Sequence, residues 1–371
     1  MAGTTTRSTP SRRRSHPAAE SHDRRPRFRG SRRDFRAEIV FDARPVYDAV
    51  IGLAEVHDGE AVPADDRRWL ANALASLPAP QRKIREALFG SEIANDVLAL
   101  AVERPHVRTA ADFAAELDAL EARDVLPFLF EDARFSAELA PLLSAALEGD
   151  ATAAKELSAG LSDWRRDERI RLLRDPDGTL DRLRSVFHAW AERFEPMEAR
   201  LTTMLERDVA LWERRRHSLE PVDLIERVTN GIRWLPEPGI RRVILAPTYF
   251  GRPYNHISNG GDWRLFVYPL SDDALDRTDR DAPPQSVMRL YRALGDETRL
   301  RILKLLSRGD RYLTEIAGEL DLSKPTIKHH LAQLRAAGLV TVTDQGALTY
   351  YSLRRDTIAA AAPALTGFIG R

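Results

Sequence analysis

The sequence predicts a mainly α-helical protein, in which a helical N-terminal body with a short β-hairpin precedes a C-terminal module of helices and a β-ribbon. Two observations predict this class. Apolar residues recur at helical spacing through most of the chain. Two short stretches instead combine β-branched and aromatic residues with turn residues, as strands and hairpins do. The 371 residues, 43% apolar and 30% charged, have the composition of a globular chain of two or three domains.

Residues 1–36 form a basic, polar arm that is expected to be disordered, because it holds almost no apolar residues. It contains eleven Arg and three acidic residues, a net charge of +8. Two interpretations stay open: the arm adds non-specific attraction to a polyanion, or it is an unconstrained extension. The pair Arg32-Arg33 is followed by charged residues where an export signal needs an apolar run, so a cytoplasmic location is expected.

Residues 37–270 are predicted to form one helical domain, which opens with a short β-like segment at 37–42. Pro196 is expected to separate two long helices, because proline inside a helix removes a backbone hydrogen bond. Amphipathic periodicity and punctuating prolines predict helices at 64–77, 81–102, 109–121, 123–131, 135–147, 151–173, 178–194, 196–217 and 220–229.

Residues 239–270 depart from the helical pattern, and Val243–Leu245 and Leu265–Val267 are predicted to be the two strands of a hairpin. In one interpretation, the aromatic-rich loop between them lines a small-molecule pocket. The pocket residues would be Tyr249, Arg252, Tyr254, His256 and Trp263. In the other interpretation, the rings are core where the hairpin covers the helical bundle or packs on the C-terminal module. The two are compatible if the hairpin couples the body to that module.

Residues 271–285 are acidic, polar and proline-containing, and they are predicted to be a linker between the body and a C-terminal module at 286–371. Charge is distributed unevenly around this linker. Residues 37–284 hold 32 basic and 45 acidic residues, a net charge of −13, whereas 285–371 hold 13 basic and 8 acidic residues, a net charge of +5. An acidic body between basic ends favours contact with a polyanion at the ends.

The C-terminal module contains three helical patterns in close succession. Asp296 precedes the first, since acidic residues suit the first turn of a helix, and the second covers 312–320. Ser323 is predicted to cap the third helix, and Pro325 falls in its first turn, where a missing N–H costs little. The buried face of that third helix is expected to consist of Ile327, Leu331 and Leu334.

Two β-like segments, 339–343 and 348–353, follow and predict a β-ribbon. Helix, turn, helix and ribbon together describe a winged helix-turn-helix, whose second helix enters the major groove of double-stranded DNA. Base contacts are assigned to Thr326, His329 and Gln333, and phosphate contacts to Ser323, Lys324 and Lys328, with Gln345 at the wing tip. The alternative is a small helical domain whose polar face only meets water.

The stretch Met288–Asp356 resembles the ArsR-type winged-helix repressors, through ALGDETRLRILKLL at 293–306, LTEIAGELDLSKPTIKHHLAQLRAAGLV at 313–340 and the wing that ends at Tyr350-Tyr351. The resemblance implies a dimeric transcription regulator with recognition residues between Ser323 and Gln333. Metal-sensing members bind metal through cysteines early in the helix-turn-helix, or through His and carboxylates on the last helix. This chain has no Cys, and its last helix has no His, so no metal or other cofactor is expected.

We therefore expect a cytoplasmic one-component regulator, a repressor by resemblance, that binds operator DNA as a homodimer. The last helix, 357–369, is expected to pair across the dimer with Met288, Leu290 and Leu294 of the module's first helix. Three roles are open for the body: a sensor of a small-molecule effector, a platform for protein interaction or dimerisation, or an enzyme. The third is the weakest, because no phosphate loop, His-Glu-x-x-His or Gly-x-Ser-x-Gly motif occurs. No membrane contact is expected, since no sufficiently long apolar run exists.

Overall fold

The computed structural model describes residues 35–54, 61–90, 94–161, 166–276, 281–345 and 348–370. The predicted basic arm at 1–36 therefore lies outside the described residues, apart from its last two positions. The mainly α-helical class is confirmed. Within the described ranges, none of the helices is long and apolar enough to cross a membrane.

The body is a bundle of helices packed around one large apolar core. Its helices are α1 (Val46–Leu53), α2 (Ala64–Ala75), α3 (Ala79–Arg85), α4 (Leu100–Glu103), α5 (Ala110–Ala119), α6 (Ala122–Val125), α7 (Glu131–Arg134), α8 (Leu139–Leu147), α9 (Ala151–Gly160), α10 (Arg166–Leu172), α11 (Pro176–Arg216) and α12 (Pro221–Val228).

Helix α11 is the longest of the body helices given above. The predicted break at Pro196 is wrong. The helix runs unbroken for 41 residues, a length of about 60 Å. Its buried stripe continues through the proline, from Trp190 and Phe194 to Met197 and Leu201. Pro196 itself is exposed, so its ring lies outside the buried stripe. Burial of the stripe therefore holds the two halves in one helix.

Three other predicted helices are wrong as single elements. The predicted helix 81–102 consists of α3, a π-helical turn at Glu86–Gly90, a 3-10 turn at Asn95–Ala99 and α4. The predicted helix 151–173 is divided into α9 and α10, and 123–131 into α6, a 3-10 turn at Leu126–Phe130 and α7. Gly90 and Gly160 lie at two of the breaks, where glycine weakens helix continuation.

The body also contains a four-stranded sheet, formed by β1 (Glu38–Phe41), β2 (Arg242–Thr248), β3 (His256–Asn259) and β4 (Trp263–Pro269) in the order β1-β2-β4-β3. The β-like segment at 37–42 is confirmed as β1, which pairs in parallel with β2.

The predicted hairpin between Val243–Leu245 and Leu265–Val267 is wrong, because β2 and β4 are parallel neighbours with Ile244 opposite Leu265. The antiparallel hairpin is instead β3–β4. The near-continuous apolar character of β2 reflects burial on both faces, as is usual for parallel strands.

One face of the sheet, with Ile244 and Leu265, belongs to the bundle core. The opposite face, with Leu245 and Phe266, packs under α12 in a second apolar cluster. The sheet therefore joins the bundle to α12.

A buried carboxylate fixes the loop that follows β2. Asp48 of α1 is fully buried and accepts hydrogen bonds from the Thr248 hydroxyl (2.6 Å) and the backbone N–H groups of Tyr249 (3.0 Å) and Phe250 (2.8 Å). Burial raises the pKa of Asp48 to about 6, although these donors oppose the shift. The loop thus leaves the sheet in a direction set by α1.

The C-terminal module is a winged helix-turn-helix, as predicted. Its core is a third cluster, centred on α14 and α16. The predicted last helix 357–369 is present but divided at Ala360. The module comprises α13 (Gln285–Leu294), α14 (Glu297–Leu306), β5 (Arg311–Tyr312), α15 (Leu313–Leu320), α16 (Lys324–Ala336), β6 (Val340–Gln345), β7 (Leu348–Leu353), α17 (Arg355–Ala359) and α18 (Ala361–Ile369), with the sheet order β5-β7-β6.

The segment predicted to be a linker, 271–285, is ordered over its described part and contains a 3-10 turn at Asp272–Ala274. Ala274 is buried in the bundle core. The division of the chain at this segment stays a prediction.

Asp48→Asn should destabilise the protein at neutral pH, because an amide nitrogen cannot accept the N–H and O–H donors that converge on the carboxylate. We expect a loss of about 1–3 kcal/mol in the free energy of unfolding, measured in urea. Asp65→Asn is the matched control, since its side chain is 85% exposed beside Arg68, and it should change stability by less than about 0.5 kcal/mol. Equal losses in the two variants would contradict the anchoring role of Asp48.

Candidate nucleic-acid interface

The sequence sets the start and the inner face of α16. Ser323 caps the helix, its hydroxyl accepting the Thr326 backbone N–H at 3.3 Å. Pro325 lies in the first turn, where no helical N–H partner is needed. Ile327, Leu331 and Leu334 are buried against α14 and α15, which confirms the predicted inner face. The opposite face of α16 is thereby turned outward.

That outward face carries the side chains predicted to contact DNA. The exposed members are Ser323, Lys324, Thr326, Lys328 and His329, while Gln333 is half-buried. The Ser323 and Thr326 hydroxyls are also hydrogen-bonded to each other at 2.7 Å. Ammonium groups suit phosphates, and hydroxyl, imidazole and amide groups suit base edges. The face therefore has the chemistry of a recognition helix.

His330 points away from this face. Its side chain is only 16% exposed, and its Nδ1 lies 3.7 Å from the carboxylate of Asp296, the N-cap of α14. Asp296 accepts the backbone N–H of Arg299 at 2.8 Å, which lowers the pKa of this carboxyl. His330 thus belongs to the packing of α16 on α14.

The wing is the β6–β7 ribbon, in register with Val342 opposite Tyr351. Tyr312 and Tyr350 stack edge to face, with ring centroids 5.2 Å apart, and so join the ribbon to the start of α15. Gln345 ends β6, as predicted for the wing tip, but its side chain lies outside the described residues.

The helices predicted to form the dimer interface, α13 and α18, touch within one chain. The Tyr291 hydroxyl donates to the Ala361 carbonyl at 3.0 Å. Tyr291 is nonetheless 36% exposed and Ile369 72% exposed, while Leu365 and Phe368 are half-buried. Of the predicted partners on α13, Leu290 is buried, and Met288 and Leu294 are half-buried. An apolar surface therefore remains on this side of the module.

The aromatic loop after β2 packs into the body. Tyr249 is buried, and its hydroxyl donates to Asp66, whose carboxylate also binds Arg200 at 2.6 Å. Phe250 stacks on the ring of Trp69, with centroids 6.0 Å apart.

Among the other residues predicted to line a pocket, Trp263 is in the bundle core, and Tyr254 and His256 are half-buried. Rings that form core favour the structural interpretation of the loop, and the pocket stays a prediction.

Arg252 links this loop to the winged helix-turn-helix. Its guanidinium is fully buried and pairs with the carboxylate of Asp272, which also accepts the backbone N–H of Ser286 at 2.7 Å. Burial alone would raise the pKa of Asp272, but Arg252 and the Ser286 N–H outweigh it and hold the pKa below its usual value. Ser286 lies in the first turn of α13, so a loop of the body is tied to the first helix of the module.

Sequence reasoning missed a second contact between the body and the module. Residues that follow α12 form an isolated parallel β-bridge with the wing, which pairs Ile232 with Val342. The Val342 N–H donates to the Gly231 carbonyl at 2.7 Å, and the Arg233 N–H donates to the Val342 carbonyl at 2.9 Å. Asn230-Gly231 is a turn signal in the sequence, but a local signal does not name its partner strand.

A family model described as "Bacterial regulatory protein, arsR family" matches residues 296–342, and no family model covers the N-terminal body. The chain is 40% identical over 70 residues to an HTH-type transcriptional regulator of Methanocaldococcus jannaschii, an alignment covering 19% of this chain and 79% of that protein. It is 38% identical over 69 residues to the transcriptional repressor SdpR of Bacillus subtilis, covering 19% and 77%.

A homolog of the cadmium resistance regulatory protein CadC from Staphylococcus aureus is 32% identical over 88 residues, covering 23% of this chain and 73% of that protein. Among solved structures, an ArsR family transcriptional regulator matches at 26% identity and a TM-score of 0.21, covering 22% of this chain and 90% of the other.

Arg252→Met should destabilise the chain by about 3–5 kcal/mol, because Asp272 would keep a largely buried charge without its cation. The pKa of Asp272 is depressed in the folded state, so its stabilising contribution is present above about pH 4 and is lost as the pH falls through the folded pKa. The variant should therefore also lose less stability on acidification. Urea unfolding at several pH values measures both effects. Arg241→Met is the control, since that side chain is 80% exposed, and a similar loss there would contradict the assignment.

Proposed function

The chain belongs to the ArsR family of bacterial regulatory proteins, and we propose that this DNA-binding transcription regulator acts as a cytoplasmic, one-component repressor that binds its operator as a homodimer. The observation that carries the proposal is the outward face of α16. This face places two Lys, a Thr and a His on one exposed helical surface beside a two-stranded wing. Such a helix fits the major groove while a wing meets the adjacent backbone.

Within this interface, Thr326, His329 and Gln333 read base edges, and Ser323, Lys324 and Lys328 contact phosphates. Gln345 contacts DNA from the wing tip. The exposure of Thr326 and His329 supports their assignment, since a base-reading group must reach past the helix surface. Full-length protein tests the proposal by selecting duplexes from a random library of about 30 base pairs, which accommodates two half-sites one helical turn apart. Failure to enrich any sequence would refute it.

The dimer forms through α13 and α18. Support comes from the apolar surface that one chain leaves on this side, with Tyr291 and Ile369 exposed and Leu365 half-buried. Exposed apolar area of this kind is a usual mark of an interface. A two-fold arrangement would present two α16 helices to successive major grooves.

The body, residues 37–270, modulates DNA binding through the segment 271–285, and the basic arm at 1–36 precedes it. Two contacts support modulation: the Arg252–Asp272–Ser286 link to α13 and the bridge between Ile232 and Val342. A body that senses a small molecule and a body that serves as an interaction platform would both use these contacts. The core packing of Tyr249, Phe250 and Trp263 weighs against a ligand pocket at this loop. A change in the affinity of full-length protein for the selected duplex on adding metabolite extracts would favour the sensor.

His329→Ala should relax specificity, lowering discrimination between the selected duplex and single-substitution duplexes by about 1–3 kcal/mol at the contacted base pair. Lys328→Ala should instead weaken binding to all duplexes alike and reduce the slope of log affinity against log salt by about one. Anisotropy titrations at several salt concentrations separate the two effects. Lys155→Ala, an exposed body position, should change neither quantity. An unchanged specificity profile for His329→Ala would remove it from the base-reading set.

Leu365→Asp should weaken the dimer and operator binding together, because it places a carboxylate in an apolar surface that would be buried on association. Sedimentation velocity should report a shift towards monomer, and titration with the selected duplex should report lower affinity. Ala151→Asp adds the same charge at an exposed body position and should alter neither. A Leu365→Asp variant that stays dimeric would place the interface elsewhere.

A further inference from the structure

The outer edge of the wing is occupied by the body. In the sheet order β5-β7-β6, β6 is an edge strand, and an edge strand presents backbone groups for pairing. Both backbone groups of Val342 are used by the segment after α12, the N–H by Gly231 at 2.7 Å and the carbonyl by Arg233 at 2.9 Å. The body therefore adds a single parallel β-bridge to the outer edge of the wing.

Asn230, which precedes the residues that bind Val342, caps the recognition helix. Asn230 Nδ2 donates at 3.3 Å to the carbonyl of Ala336, the last residue of α16. Carbonyls at a helix end lack helical partners, so a side-chain donor here fixes the end of α16. The Asn230 Oδ1 accepts Arg354 Nη1 at 3.1 Å, and Arg354 follows β7. One amide thus joins the end of the recognition helix to the base of the wing.

Gly338 shows how closely the two parts approach. Its φ of +68° is in the left-handed region, and a Cβ at this position would lie 2.4 Å from Asn230 Oδ1. Glycine is needed for both reasons. Asn230 is itself left-handed, with φ 53°, a conformation that asparagine tolerates better than most residues. Asn230 and Gly338 therefore both have the left-handed backbone conformation in which this close contact is made.

Glu226 on α12 completes the contact. Its Oε1 accepts the hydroxyl of Thr341, a buried β6 residue, at 3.2 Å, and its Oε2 accepts Arg233 Nε at 2.8 Å. Arg354 Nε lies 3.9 Å from the same carboxylate. Neighbouring Leu224, Ile225 and Val228 pack under the body sheet. The element that holds the wing is thus anchored in the body by apolar burial.

We propose that residues Glu226–Arg233 of the body are a positioning element of the DNA-binding unit, which sets the angle between the recognition helix and the wing. Asn230 and Glu226 are its positioning residues. The inference rests on the proposed function, because a fixed angle between α16 and the wing matters only if the module reads DNA. Recognition groups must be held to within about 0.5 Å of productive geometry by their supporting contacts. Loss of the element should therefore reduce specific binding more than non-specific binding.

The test uses full-length Asn230→Gly and Glu226→Gln. Glycine tolerates the left-handed backbone at position 230, so Asn230→Gly removes the amide cap without backbone strain. Glu213→Gln is the matched control, because it makes the same kind of change in a carboxylate that pairs with Arg216 within α11. Probes are the duplex selected by wild-type protein and a scrambled duplex of equal length.

Asn230→Gly and Glu226→Gln are each expected to bind the selected duplex about tenfold more weakly, a loss typical of one broken hydrogen-bond network, with scrambled-duplex affinity unchanged. Hydroxyl-radical footprints should lose protection of the sugars where the wing lies and keep protection of the sugars that flank the major groove read by α16. Glu213→Gln should match wild type in both measurements.

Unchanged affinity for the selected duplex in both Asn230→Gly and Glu226→Gln would overturn the proposal. An equal loss of affinity for the two duplexes would also overturn it, because that result indicates a general loss of DNA binding. Thermal unfolding of each variant identifies the folded fraction, and Glu226→Gln carries the test if Asn230→Gly does not fold. Failure of the proposed function is distinct, since wild-type protein would then select no duplex at all.

Discussion

Burial of the body sheet on both faces is the constraint on which the rest of the structure depends. The bundle closes one face, around Ile244 and Leu265, and α12 closes the other, over Leu245 and Phe266. A parallel sheet without both covers would expose continuous apolar strands to water. Helix α12 must therefore stay packed on the sheet. This packing places the residues that follow it, Gly231 to Arg233, beside the wing. The position of the winged helix-turn-helix therefore depends on the packing that buries the strands of the body sheet.

Buried carboxylates then fix the loops that leave this sheet. Asp48 collects the donors of the loop after β2, and Asp208 of α11 accepts the Tyr268 hydroxyl at 2.9 Å and the Ser271 N–H at 2.8 Å after β4. Asp272 does the same for Arg252 and Ser286. A buried carboxylate is costly unless several donors surround it, so each of these sites holds its loop in one conformation. Ser271 and Asp272 after β4, and Ser286 at the start of α13, are consequently held in place.

The sequence predicted the winged helix-turn-helix well, because its signals are local. Ser323 as N-cap, Pro325 in the first turn and the spacing of Ile327 to Leu334 lie within a dozen residues and specify α16 with its outward face. The body sheet was mispredicted for the opposite reason. Its strand β1 pairs with β2 some 200 residues later, and periodicity cannot distinguish a parallel neighbour from a hairpin partner. The contact between Asn230 and Ala336, which are 106 residues apart, could not be predicted for the same reason.

The aromatic loop matters because two of its residues, Arg252 and Asn255, bind residues that adjoin two different parts of the module. Arg252 reaches α13, on the side proposed for the dimer, through Asp272. Asn255 Nδ2 donates at 3.0 Å to the carbonyl of Thr229, the residue before the amide that caps α16. A shift of this loop would therefore act on dimer geometry and on recognition geometry at once. Coupling between sites needs an element that both sites bias, and here that element is a loop packed into the body core. In the proposed function, this loop and α12 are the elements through which a ligand or protein bound to the body would act on the DNA-binding face.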